Sequence, residues 1–138
     1  MSDILRQSVF NAAGKIFRTG CDSVLQSSVF FVSLDNMAGL YFHIPFCKRV
    51  CAYCDFYKSA DLRPMKAVVE AMHDELRREA GFLPAEQLRT IYFGGGTPSL
   101  LPPEELEEFI AHAAELFDCT VLEECTVEAN PDDLTENY

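Results

Sequence analysis

Apolar and polar residues alternate most clearly from Leu40 onward. In the stretch LYFHI at 40-44, Leu40, Phe42 and Ile44 fall on one side of an extended chain and Tyr41 and His43 on the other. That period of two predicts a strand, and Pro45 ends it. Asp61 and Pro64 then open a run in which Met65, Val68, Val69, Met72 and Leu76 recur at helical spacing until Gly81. LRTIYF at 88-93 predicts a second strand that runs directly into GGGTP at 94-98. Pro102, Pro103, Glu104 and Glu105 begin a second helix with a stripe of Leu106, Phe109, Ile110, Ala113 and Leu116. CTVEAN at 125-130 predicts a third strand closed by Pro131, and DDLTEN starts a third helix.

Strand, helix, strand, helix, strand at this spacing is the pattern of βαβ units, so the expected fold class is α/β with a parallel sheet. Chemistry in such folds gathers at the carboxyl ends of the strands. A cysteine loop follows the first predicted strand, a triple glycine the second, and Glu128 with Asn130 closes the third. Residues 1-36 lack this organisation and are expected to be an atypical N-terminal extension, with 37-138 the ordered unit. No internal repeat or low-complexity tract appears.

Composition narrows the partners. The chain has 138 residues, is 49% hydrophobic and carries a net charge of -11, which suits a folded domain. The acids concentrate after residue 60, where eighteen Asp/Glu face five Lys/Arg. That balance argues against nucleic acid as a partner. No run of about 18 apolar residues predicts a membrane span, and the N-terminus lacks the pattern of a signal peptide. The expected setting is cytoplasmic and reducing, where cysteines serve metal binding or packing more often than disulfides.

Cys47, Cys51 and Cys54 are spaced CxxxCxxC. A disulfide would pair two and strand one. Structural zinc asks for four protein ligands, and neither His43 nor Asp55 continues a familiar zinc spacing. The spacing therefore favours an iron-sulfur cluster left open on one side. Gly94, Gly95 and Gly96 allow close backbone approach to a ligand, but without Lys or a GxGxxG register they do not read as a phosphate loop; alone, they also suit a plain turn. Glu128 is expected on the inward face with Tyr41 and His43, as either a buried salt bridge or a ligand contact. His43 reads as a packing residue, His73 and His112 as surface or boundary residues, and Cys21, Cys119 and Cys125 as ordinary buried thiols.

YFHIPFCKRVCAYCDF at 41-56, IYFGGGTPSLL at 91-101 and VEANPDDLT at 127-135 together resemble the start of the radical S-adenosylmethionine proteins related to oxygen-independent coproporphyrinogen III oxidase, most closely the haem chaperones of the HemW type. The resemblance runs from Met37 to the end. It implies the first half of a partial (β/α) barrel with parallel strands. It implies that Cys47, Cys51 and Cys54 hold a [4Fe-4S] cluster whose free iron chelates S-adenosylmethionine. The reduced cluster would then cleave the ligand to methionine and a 5'-deoxyadenosyl radical. Tyr41, Tyr53, Gly95, Gly96, Thr97 and Glu128 match positions that line S-adenosylmethionine in the family.

The oxidase carries a further cysteine two residues after the third, where this chain has Phe56. That difference favours haem binding and delivery to acceptor proteins over porphyrin decarboxylation. The resemblance further implies more βα units and a carboxyl-terminal domain beyond the stretch represented here.

Overall fold

The structure, a computed structural model, describes residues 28-34, 37-82 and 87-135. Its elements run β1 (Val29–Leu34), β2 (Met37–Ile44), α1 (Met65–Glu79), β3 (Leu88–Gly95), α2 (Pro103–Leu116) and β4 (Glu124–Val127). Single 3-10 turns sit at Ala80–Phe82, Pro98–Leu100 and Pro131–Asp133. The four strands form one sheet in the order β1-β2-β3-β4. β2, β3 and β4 are parallel, as the βαβ pattern predicts, while β1 pairs antiparallel with β2.

The alternation read from the sequence decides which face is the core. Parallel pairing sets Tyr41 beside Tyr92 and Phe42 beside Phe93. Neighbours in register share a face, so the phenylalanines lie on one side and the tyrosines on the other. Phe42 and Phe93 stack 4.9 Å apart, and Phe109 of α2 packs 4.9 Å from Phe42 and 6.1 Å from Phe93. Leu40, Ile44 and Ile91 fill in around them, all fully buried. Helix α1 turns Val69, Met72 and Leu76 into this layer, and α2 turns Leu106, Phe109 and Ala113. Helix α2 begins on Pro103 with Glu104 and Glu105 in its first turn, where a fixed φ and negative charge both favour a helix start.

Three expectations change. Val29–Leu34 falls inside the stretch expected to be an extension, yet it is sheet: Val29 and Phe31 are buried, and Phe31 packs 6.2 Å from Phe117. The rest of that stretch, Cys21 included, lies outside the described residues. The third helix expected at DDLTEN is, as far as residue 135, one 3-10 turn whose first N–H groups are met by the Asn130 side chain accepting from the Asp132 N–H at 3.3 Å. Cys125 is exposed and Cys119 half-buried, rather than both being core thiols; β4 is exposed along both faces, with Val127 36% accessible. Among the described residues, no helix is long and apolar enough to cross a membrane.

Phe109→Ala should cost about 3–5 kcal/mol, because it empties the centre of the aromatic layer. Urea unfolding reads this, with Ala111→Ser, on the exposed side of α2, expected to stay within about 0.5 kcal/mol of the parent.

Candidate iron-sulfur and S-adenosylmethionine site

The carboxyl ends of β2, β3 and β4 bring the three sequence motifs together. The cysteine loop leaves β2 at Pro45 and returns at Ser59, and its neck is fixed. Ser59 N–H donates to Pro45 O at 2.7 Å, Cys47 N–H donates to Ser59 O at 3.0 Å, and Phe46 is buried between them. Cys47 is buried in this neck, Cys54 is half-buried and Cys51 is exposed. Cys54 N–H donates to Cys51 O at 3.3 Å, a turn that folds the second and third cysteines back together. The Lys58 ammonium caps the turn by donating to the Cys54 carbonyl. Val50, Tyr53, Phe56 and Tyr57 stand out from the loop, with Tyr53 88% exposed. Tyr53 is thus beside Cys51, whose side-chain hydrogen bond raises its pKa.

The donor set fits a cluster better than a single ion. Among the described residues, the one group of three candidate ligand atoms within 4.8 Å of one another is His73, Glu105 and Glu108, so the three cysteine sulfurs are not drawn to a single point. A tetrahedral zinc site needs close convergence and a fourth ligand. His43 does not supply it, because both ring nitrogens are engaged: Nε2 lies 3.0 Å from the Tyr57 carbonyl and Nδ1 lies 3.3 Å from the Tyr41 hydroxyl. Three thiols spread around a loop suit a cluster that shares its ligands among several irons.

The glycine turn is pressed against the cysteine neck. Gly96 N–H donates to Ile44 O at 2.8 Å, and a Cβ on Gly96 would lie 2.5 Å from the Phe46 carbonyl oxygen. Gly95 has a φ of 110°, and a Cβ there would meet the His43 ring at 2.5 Å. Both positions therefore require glycine for the turn itself, whatever they also bind. Thr97 is half-buried, precedes the Pro98–Leu100 turn and accepts the Leu100 N–H through its carbonyl at 3.0 Å.

Glu128 follows β4, and its N–H extends the ladder to Phe93 O at 3.0 Å. Its carboxylate accepts from the Tyr92 hydroxyl at 2.8 Å and from the Gly95 N–H at 3.2 Å. Among the described residues no cation pairs with it. It is held by two neutral donors on an exposed surface and is not a buried salt bridge. Tyr92 stacks on Tyr41 at 5.8 Å, so one polar face carries Tyr41, His43, Tyr92 and Glu128. Because a carbonyl only accepts, the proton of neutral His43 sits on Nε2, and Nδ1 accepts from Tyr41. Burial, helped by Glu128 and Tyr92, pushes the Tyr41 pKa up to about 12, which keeps that phenol a donor.

Tyr92 escaped the sequence reading although the signal was available: it sits between Ile91 and Phe93, which the alternation puts in the core. A second group was not foreseen. The Ser99 hydroxyl donates to Asp133 Oδ2 at 2.8 Å and accepts the Asn130 N–H at 2.9 Å, while the Lys48 ammonium pairs with Asp133. Those hydrogen bonds, Lys48 first, hold the Asp133 carboxyl below the usual carboxylate range. The group ties the cysteine loop, the glycine turn and the end of β4 to one another.

A parallel sheet with three thiols, a glycine turn and a carboxylate on successive strand ends has the layout of a radical S-adenosylmethionine domain. Comparison with protein families agrees: residues 41–138 match the Radical SAM superfamily, and the chain belongs to it. Among curated proteins it is similar to the heme chaperone HemW of Lactococcus lactis, at 48% identity over 97 residues, covering 70% of this chain and 24% of that protein. It is also similar to the HemW of Bacillus subtilis, at 37% over 101 residues (72% and 27%), and of Escherichia coli, at 34% over 95 residues (67% and 25%). The chain spans about a quarter of the length of the curated relatives it matches. No solved structure matches it.

Two outcomes follow from the packing and protonation of this site. Gly96→Ala should destabilise the chain by about 1–3 kcal/mol, since backbone rather than a flexible side chain stands in the way; chemical denaturation measures it. Burial lowers the His43 pKa below 6.5, outweighing the raising effects of the Tyr57 carbonyl and Glu128. The unfolded chain then binds more protons just below that pH, so stability falls as pH drops through about 6.5 and levels off below the folded pKa. His73 and His112, also lowered chiefly by burial, act in the same direction. The urea midpoint should be lower at about pH 5.5 than at about pH 7.5, and His43→Gln should narrow the gap.

Proposed function

We propose that this chain is the cluster-binding part of a HemW-type haem chaperone that works in the cytoplasm, binding haem and passing it to acceptor proteins. One observation carries the reading: Cys47, Cys51 and Cys54, the Gly95–Gly96 turn and Glu128 lie on adjacent parallel strand ends and are tied together there. In this reading Cys47, Cys51 and Cys54 hold the [4Fe-4S] cluster and leave one iron for S-adenosylmethionine. When bound, the pair supplies one-electron reductive cleavage chemistry.

The protein's own residues supply position. Glu128 offers a carboxylate to the ligand's cationic amino-acid end, and Gly95, Gly96 and Thr97 let backbone approach it. Tyr41 offers a protonated phenol on the same face, and Tyr53 an aromatic ring from the loop tip. Phe56, standing where the coproporphyrinogen oxidases resembled here have a further cysteine, supports delivery of haem over porphyrin decarboxylation. The relatives named above, each called a heme chaperone, support the same choice.

Anaerobic reconstitution should load about four irons per chain, and alanine at Cys47, Cys51 or Cys54 should remove them. One zinc per chain with no iron would end this reading. Glu128→Gln should weaken S-adenosylmethionine binding about tenfold, the loss of a charged hydrogen bond worth ~1.5 kcal/mol. A version extended to the length of the relatives should bind haem in absorbance titrations without converting coproporphyrinogen; decarboxylated product would replace the chaperone with the oxidase.

A further inference from the structure

Helices α1 and α2 hold a second cluster of ligand-type side chains that includes none of the three cysteines. His73 of α1 stacks flat on Phe109, with ring centroids 4.0 Å apart and planes 10° from parallel. Its Nδ1 meets Nδ1 of His112 on α2 at 2.8 Å. At that distance one of the two nitrogens donates and the other accepts. Nε2 of His73 is buried with no hydrogen-bond partner, the one such side-chain atom among the described residues. Either tautomer of neutral His73 leaves this atom unsatisfied, as a bare lone pair or an orphaned N–H, and a buried polar atom in that condition is costly.

Carboxylates stand at the same place. Glu105, Glu108 and His112 are spaced i, i+3 and i+7 on α2, which puts them on one helix face. A ring nitrogen of His73 and one oxygen each from Glu105 and Glu108 lie within 4.8 Å of one another. Nδ1 is taken up by His112, so Nε2 is the nitrogen free to act. Arg77, the cation lining the groove beside His73 and Glu108, is paired with Asp74, and among the described residues no ion pair is formed by Glu105 or Glu108.

We propose that His73, Glu105 and Glu108 form a binding site for a first-row divalent cation such as Zn²⁺, which joins α1 to α2, with His112 orienting the His73 ring. The arrangement has the form of a metal-ligating imidazole whose second nitrogen is held by a partner, the usual way a ligand ring is fixed. One imidazole and two carboxylates suit zinc and its neighbours. The cation takes up the orphaned nitrogen and the charge of both glutamates. With three protein ligands the site leaves a fourth position to water, and it bridges α1 and α2 without using any of the three cysteines.

The test removes the competing thiols first. In the whole chain carrying Cys47→Ala, Cys51→Ala and Cys54→Ala, Zn²⁺ is titrated against a chromophoric chelator, and thermal unfolding is followed with and without Zn²⁺. One Zn²⁺ should bind per chain and raise the melting temperature. Glu105→Gln with Glu108→Gln, which keeps the shape of both side chains, should abolish the thermal shift and weaken binding more than tenfold, and His112→Gln should weaken it about tenfold. Circular dichroism confirms that the variants fold. Absence of Zn²⁺ binding, or equal binding by parent and the double glutamine variant, would overturn the site. Co²⁺ provides an independent readout: thiolate charge-transfer absorption in the near ultraviolet would place the ion on a leftover cysteine and also overturn it.

Discussion

The parallel register between β2 and β3 is the constraint on which both faces of the sheet depend. Pairing Tyr41 with Tyr92 and Phe42 with Phe93 assembles an apolar layer centred on phenylalanines beneath the helices and sets the tyrosines on the other side. A slip of one residue would swap the faces, burying the tyrosines and exposing the phenylalanines. The register is held by the side chains it sorts. Burying each of Phe42, Phe93 and Phe109 is worth roughly 1.5–3 kcal/mol, while the fully exposed pair of Arg63 with Asp61 is screened by solvent. Apolar burial therefore decides the fold, and the surface ion pairs adjust it little.

On the polar face the same register does chemical work. It stacks Tyr92 on Tyr41 and so delivers the Tyr92 hydroxyl to Glu128. Glu128 is reached from β3 twice, through that hydroxyl and through the Gly95 N–H. A carboxylate that accepts from two donors still has lone pairs to offer. Opposite it, the His43 imidazole is fixed as one tautomer by the Tyr57 carbonyl. The Glu128 carboxylate is thus held by the sheet, whereas the three cysteines are carried by a loop.

Much of this was legible in the sequence because it rests on local periodicity. The β2 alternation, the two helical stripes and the strand ending in glycine all survive in three dimensions, and so does the placement of the motifs on successive strand ends. What was not legible depends on pairing at a distance. Val29–Leu34 has a strand-like composition, but only its contact with β2 and Phe117 makes it part of the core. Ser99, Lys48 and Asp133 are ordinary polar residues until the fold gathers them. Cys125 reads as a buried thiol because it has no ligand spacing with Cys21 or Cys119, yet β4 is largely exposed among the described residues. His73 and His112 sit on different helices at the boundary, as expected; the 2.8 Å approach of their rings follows from the packing of α1 on α2, which no local pattern encodes.

The tie between Lys48 and Asp133 spans 85 residues of chain, and this gives the site an order of assembly. Closing so long a loop is entropically expensive and kinetically late. The neck of the cysteine loop, closed between Pro45 and Ser59, spans far less chain. On a ribosome the thiols emerge well before the aspartate that fastens their loop to the end of β4. In that interval the nascent chain presents its cysteines on a loop not yet fastened to the end of β4, so the tie forms only after the four described strands and both described helices have been made.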